Sequence, residues 1–113
     1  EYDESLFHII TSIFGSGPAW YLKLSSKIVE AAERLGLEKS EANKIIKELV
    51  RSLPSFLSDD EFSSTVDKIK SPNGTTEAGL NSLVEDSFDK IIYNAIESAT
   101  NKSQQISKEI NND

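Results

Sequence analysis

The sequence contains no cysteine and no methionine, and its only histidine is His8. Without cysteine the chain can form no disulfide, offers zinc no thiolate ligand and has no cysteine nucleophile. A lone histidine with no obvious serine or carboxylate partner disfavours a catalytic triad, so we predict that His8 is a linker residue. Because a translated chain begins with methionine, the absence of that residue predicts that these 113 residues are a segment of a longer protein.

Positive charge is also scarce, with 12 Lys and Arg against 19 Asp and Glu and a formal net charge of -7. Binding to nucleic acid needs a basic surface that replaces condensed counterions, so no nucleic-acid partner is expected. No apolar run approaches the ~20 residues of a membrane span, and the N-terminus lacks the order of a signal peptide. We therefore predict a soluble protein with no membrane partner. The lack of cysteine and the single histidine also predict that there is no metal site. We further expect a cytoplasmic location, which the lack of cysteine permits.

Apolar residues instead recur at spacings of three and four, which is the period of amphipathic helices. No strand-like alternation of useful length follows residue 14, and 113 residues suit a single domain. The sequence predicts an all-α domain of about five helices. Their expected starts lie near Pro18, Lys39, Ser58, Thr75 or Thr76, and Ser87, and the last helix should reach Ile110.

Glycine and proline divide the helices. Residues 1–14 alternate weakly and predict a linker or a short extended segment, so the helical domain is expected over residues 15–113. Pro18 suits the first turn of a helix, Gly36 suits a helix end, and Pro54 should kink or close the second helix. The apolar faces can be buried inside one chain or shared with a second copy, and the sequence leaves both open.

Three short motifs are candidates for function. Ser71–Thr76 (SPNGTT) predicts a tight turn at a helix N-terminus, where free backbone N–H groups suit a carboxylate or phosphate, although ordinary helix starts look the same. Gly15–Ala19 (GSGPA) allows close approach of another group or simply begins a helix, and it is not a dinucleotide fingerprint because the third glycine and a βαβ unit are absent. Ser58–Glu61 reads as a capping box rather than a metal site.

Taken in order, several segments resemble the C-terminal half of the pyrroline-5-carboxylate reductases. The resemblance covers about residues 4–104, and the serine-proline-x-glycine-x-threonine block followed by glycine-leucine is quite specific. The segments that carry it are Thr11–Ala19 (TSIFGSGPA), Leu35–Leu37 (LGL), Ser71–Leu80 (SPNGTTEAGL) and Phe88–Lys102 (FDKIIYNAIESATNK).

This resemblance implies a fold and an activity. The fold would be a helical domain like the C-terminal domain of 6-phosphogluconate dehydrogenases, interlocked with a second copy as a homodimer. The activity would be hydride transfer from NADPH or NADH to 1-pyrroline-5-carboxylate, which gives L-proline. In that family a Rossmann domain precedes this one and binds most of the cofactor, so residues 1–14 would be the linker from that domain. The isolated chain is therefore expected to be inactive.

The resemblance also implies roles for single residues. Gly74, Thr75 and Thr76 would bind the substrate carboxylate through backbone N–H groups, and Ser71 would shape the turn. The Thr76 hydroxyl would approach the ring nitrogen as the catalytic group.

Three further residues, Ser16, Gly17 and Pro18, would lie near the nicotinamide. The sequence departs from the family pattern in the second helix and at Asn73, where glycine is common. An alternative is a non-enzymatic helical interaction module derived from this family.

Overall fold

The computed structural model describes residues 3–111, and its regular structure in that range is entirely helical. This confirms the all-α prediction. A short 3₁₀ helix, Leu53–Phe56, follows the second α-helix. The five α-helices are α1 (Glu4–Arg34), α2 (Lys39–Ser52), α3 (Phe62–Ile69), α4 (Thr75–Glu85) and α5 (Phe88–Asn111).

Helix α1 begins much earlier than the sequence suggested. It starts at Glu4 and carries Pro18 in its interior, so the predicted extended lead-in and the predicted start at Pro18 are both wrong. The apolar residues that looked like an alternation, from Leu6 to Ile13, also fit helical spacing. An interior proline costs one backbone hydrogen bond, and a helix of 31 residues tolerates that loss. Residues 1 and 2 lie outside the described range.

The other helix boundaries follow local signals. Gly36 ends α1 with φ +115°, and the N–H of Leu37 donates to the carbonyl of Ala32 at 3.0 Å, a helix-ending pattern that favours glycine. Pro54 lies at the start of the 3₁₀ helix and closes α2, as predicted.

One boundary prediction is wrong. Ser58 does not cap α3, because that helix begins only at Phe62, with Glu61 in the capping position and no side-chain cap. The Ser58 hydroxyl instead accepts the N–H of Asp60 at 3.1 Å. The serine therefore stabilises a bend in front of the helix rather than the helix itself.

The chain divides into two units, one of Glu1–Leu22 with Val84–Asp113 and one of Lys23–Leu83. The second unit has a small apolar core in which Val29 of α1 meets Ala42 and Ile46 of α2. Ala42 is fully buried, and Ala32 packs against the cluster at its edge. An alanine at the centre lets the two helices approach closely.

In the other unit, a polar contact links the start of α1 to α5. His8 of α1 is buried, and its Nδ1 lies 2.9 Å from the Oγ of Ser103 in α5. Its Nε2 lies 3.8 Å from a carboxylate oxygen of Glu4, and its carbonyl accepts the hydroxyl of Ser12 at 2.8 Å. The prediction that His8 is a linker residue without a partner is therefore wrong. Its partner lies 95 residues away, and no local pattern reveals such a contact.

Most of the predicted apolar faces stay exposed within the single chain. Tyr21 is 72% exposed, Phe14 80% and Leu35 90%, and the sequence had left open whether one chain or two bury the apolar faces. Large apolar side chains left exposed in such number are typical of an association surface. Burial inside one chain therefore does not account for these faces. None of the helices described here is long and apolar enough to cross a membrane.

Candidate carboxylate-binding turn

The turn between α3 and α4 has a defined hydrogen-bonded geometry. The N–H of Gly74 donates to the carbonyl of Ser71 at 3.1 Å and closes the turn. Asn73 has φ 60°, in the left-handed region that asparagine tolerates better than most residues. The predicted turn over Ser71–Gly74 is thus present, and it leads directly into α4.

Helix α4 opens with unpaired backbone donors. The carbonyl of Gly74 accepts the N–H of Ala78 at 3.1 Å, so Gly74 is the capping residue and Thr75 begins the helix, as predicted. Across residues 3–111, no acceptor lies on the N–H of Thr75, Thr76 or Glu77. Both threonines are exposed. Three free donors and the positive end of the helix dipole therefore meet at one accessible place.

Gly74 is required here for space rather than for its φ. A Cβ at this position would lie 2.6 Å from the Ser71 hydroxyl oxygen and 3.2 Å from the Ser71 carbonyl oxygen. Any side chain would push Ser71 aside and disturb the bond that closes the turn. Ser71 thus packs against the capping glycine and shapes the turn from within.

Glu77 is a residue of this turn that the sequence reasoning missed. Its Oε2 accepts the N–H of Asn73 at 3.1 Å, and its side chain is half-buried. The signal was available, because a glutamate three residues after the capping residue is a known partner for a backbone N–H in front of a helix. Glu77 thereby takes up the donor in front of the capping glycine and leaves the donors of Thr75 and Thr76 open.

The cations nearest in sequence are engaged elsewhere. Lys68 pairs with Asp60 at 2.6 Å, and Lys70 pairs with Asp67 at 3.2 Å. Over the described part of the chain, no group of three or more His, Cys, Asp or Glu residues could hold a metal ion. Within the described residues, the donors left open at this turn are the backbone amides and hydroxyls of Thr75 and Thr76 and the backbone amide of Glu77.

Ser16, Gly17 and Pro18 lie inside α1, in the other unit. Gly17 is buried and Ser16 half-buried, while Pro18 is exposed. Cβ atoms built at Gly15 and Gly17 would meet no atom within 4 Å beyond the helix backbone, and at the exposed Gly15 the helix presents bare backbone with open space beside it. A flat ring could approach such a surface closely, but the stretch offers no group for a phosphate.

Comparison with known proteins now decides the family. A family model described as pyrroline-5-carboxylate reductase dimerisation matches residues 4–106, nearly the whole chain. The chain belongs to the pyrroline-5-carboxylate reductase dimerisation family. The resemblance carried by its sequence motifs is thereby confirmed.

Relatives of this dimerisation domain include full-length reductases. A pyrroline-5-carboxylate reductase of Staphylococcus haemolyticus is 34% identical over 99% of this chain and 42% of its own length. Its counterpart in Pseudomonas aeruginosa is 28% identical over 96% of this chain and 40% of its own length. The chain therefore spans about two fifths of the curated relatives it matches.

Solved structures agree with this assignment. The crystal structure of a Plasmodium falciparum pyrroline carboxylate reductase with NADP bound matches with a TM-score of 0.83 and 30% identity, covering 93% of this chain and 41% of that one. A pyrroline-5-carboxylate reductase from Coxiella burnetii matches with a TM-score of 0.80 and 26% identity, covering 93% of this chain and 40% of that one. The helical arrangement of the dimerisation domain is thus that of known reductases.

Proposed function

We propose that the protein carrying this chain is a pyrroline-5-carboxylate reductase, which reduces 1-pyrroline-5-carboxylate to L-proline with NADPH or NADH. The substrate carboxylate binds at the start of α4. One observation carries this proposal: the N–H groups of Thr75 and Thr76 have no acceptor within the described residues, at an exposed helix N-terminus of a reductase-family domain. A small carboxylate satisfies such donors and is stabilised by the helix dipole.

The chemistry of the turn supports a small planar acid. Gly74 leaves room for the Ser71 side chain, and the Ser71 carbonyl accepts the N–H that closes the turn. With the carboxylate on the amides, the Thr76 hydroxyl is the group we assign to the ring nitrogen, where a proton is needed once the imine carbon has been reduced. Positioning a small substrate by several fixed donors is a large part of catalysis for such a reaction.

Binding of the cofactor is expected to depend mainly on another domain. NAD(P)H, when bound, supplies the hydride. The open backbone at Gly15 fits the approach of the nicotinamide ring, and Ser16, Gly17 and Pro18 follow it directly in α1. Nothing in this stretch suits the phosphates, so we propose that a Rossmann domain preceding residues 1–14 holds the rest of the cofactor. This chain alone would then be inactive.

We further propose that the domain forms a homodimer with interlocked helices and acts in the cytoplasm. The exposed apolar residues of α1 and the dimerisation family support the dimer. The absence of cysteine is compatible with a reducing compartment.

The first test replaces Thr76 in the full-length reductase that carries this chain. Thr76→Ala removes the hydroxyl and keeps the backbone N–H, and we expect kcat/KM for pyrroline-5-carboxylate to fall about tenfold or more, because a positioned proton donor is lost. Thr76→Ser is the matched control, since it keeps the hydroxyl, and it should stay within about threefold of the parent. Steady-state kinetics measure both variants.

Thr76 is exposed and its side chain has no hydrogen-bond partner within residues 3–111, so both variants should fold. Unchanged turnover in Thr76→Ala would remove the assigned role. Absence of any reductase activity in the parent protein would instead support the alternative of a non-enzymatic interaction module.

A further inference from the structure

We infer that Glu77 is a positioning residue for substrate binding, because its carboxylate holds Asn73 in the left-handed conformation that presents the amides of Thr75 and Thr76. This inference rests on the proposed function of the turn. It assigns Glu77 no contact with the substrate, and it concerns how strongly the substrate binds rather than the chemistry of hydride transfer.

The inference depends on a hydrogen bond between Glu77, in the first turn of α4, and Asn73, in the turn before that helix. Glu77 Oε2 accepts the N–H of Asn73 at 3.1 Å, while the N–H of the next residue, Gly74, donates to Ser71 at 3.1 Å. The two bonds leave Thr75 as the first residue with an open donor. Without the carboxylate, the Asn73 N–H would be one more free donor, and the turn would be fixed only through Gly74.

Backbone strain makes this hold necessary. Asn73 has φ 60°, a conformation that a residue with a Cβ enters only at an energetic cost. The next residue, Gly74, is held separately by its own hydrogen bond to the Ser71 carbonyl at 3.1 Å. The hydrogen bond that the Asn73 N–H donates to the Glu77 carboxylate offsets this cost and keeps one turn geometry populated.

The charge of Glu77 and its hydrogen bond to Asn73 should affect substrate binding in opposite directions. Substitutions can therefore distinguish the two effects. A carboxylate beside this helix start repels an anionic substrate, whereas its hydrogen bond favours the geometry that binds that substrate. Glutamine at this position keeps an oxygen acceptor and removes the charge. Alanine removes both. If positioning dominates, only alanine weakens binding.

The experiment measures steady-state kinetics of the full-length reductase with Glu77→Ala and Glu77→Gln. Glu77→Ala should raise the KM for pyrroline-5-carboxylate about five- to tenfold, with kcat and the KM for NADPH within about twofold of the parent. Glu77→Gln should leave the KM for pyrroline-5-carboxylate within about twofold of the parent, or lower it. Glu85→Gln, at the opposite end of α4, is the control for a lost glutamate and should change none of these values.

A second variant tests the mechanism. Asn73→Gly removes the Cβ that makes a positive φ costly, so the loss caused by Glu77→Ala should shrink to about twofold in that background. Equal losses in both backgrounds would contradict the inference, because Glu77 would then act through something other than the conformation of residue 73.

Three further outcomes decide the matter. A KM for pyrroline-5-carboxylate unchanged by Glu77→Ala, in a protein where Thr76→Ala still loses activity, overturns the inference and leaves the proposed function intact. Equal changes in Glu77→Ala and Glu77→Gln also overturn it, because charge rather than position would be responsible. If neither Thr76→Ala nor Glu77→Ala has an effect, the turn does not bind the substrate, and the inference falls together with the proposed function.

Discussion

The turn before α4 and the apolar faces of the long helices differ in what they need from the rest of the molecule. The turn is complete within seven residues, since Ser71, Asn73, Gly74 and Glu77 bond to one another. The apolar faces of the helices make few contacts that bury them within their own chain, and Phe14 and Leu35 remain 80% and 90% exposed. The geometry of the candidate site is therefore fixed by neighbouring residues, whereas the apolar faces of the long helices stay largely exposed within the single chain.

The largest expected effect lies in the small apolar core between α1 and α2. Ile46→Ala should lower the free energy of unfolding by about 2 to 4 kcal/mol, because it opens a cavity beside Ala42 and Val29. Urea unfolding measures the loss. Ile110 is 68% exposed, so Ile110→Ala should stay within about 0.5 kcal/mol and serves as the control. A loss below that limit in Ile46→Ala would show that this cluster is not a core at all.

A smaller effect is expected in the turn. Gly74→Ala should cost about 1 kcal/mol, because its Cβ would lie 2.6 Å from the Ser71 hydroxyl oxygen. It should leave the oligomeric state unchanged. Thermal unfolding and sedimentation measure the two results.

Within the same helix, Gly79 provides the matched control. A Cβ at Gly79 would meet no other atom within 4 Å, so Gly79→Ala should stabilise α4 by about 0.5 to 1 kcal/mol. The two glycine-to-alanine changes therefore have opposite signs. Equal signs would mean that Ser71 does not crowd a side chain at position 74.

The smallest effect concerns the link between α4 and α5. Ser87 has φ 63° without the side-chain advantages of asparagine, so Ser87→Gly should stabilise the chain by about 0.5 to 1 kcal/mol. Differential scanning calorimetry measures the change. Because the effect is local, the stability difference between Ser87→Gly and the parent should be the same at every protein concentration. A difference that changes with concentration would mean that Ser87 also affects association between chains.

This contrast also explains what the sequence could predict. The start of α4 at Thr75, the end of α1 near Gly36 and the closing of α2 before Pro54 depend on neighbouring residues, and each prediction is confirmed. The roles of Gly74, Thr75 and Thr76 stay predictions that rest on family resemblance. Glu77 could have been found from its spacing to Gly74.

The failures have a common physical origin. Pro18 and the glycines around it suggested a helix start, whereas tolerance of a proline inside α1 depends on the whole helix rather than on the local motif. The partner of His8 is Ser103, a contact across the fold that no short pattern records. The apolar stripe through Tyr21 and Leu35 was correctly helical, but sequence alone left open whether the same chain or a second one buries it.

We expect a second copy of this chain to bury the apolar side chains that its helices leave exposed. The most direct test is sedimentation of the 113-residue chain over about a hundredfold range of concentration, combined with urea unfolding at both ends of that range. We expect twice the 12.5 kDa mass of the chain and an unfolding midpoint that rises with concentration. A folded 12.5 kDa monomer whose midpoint does not depend on concentration would contradict the account.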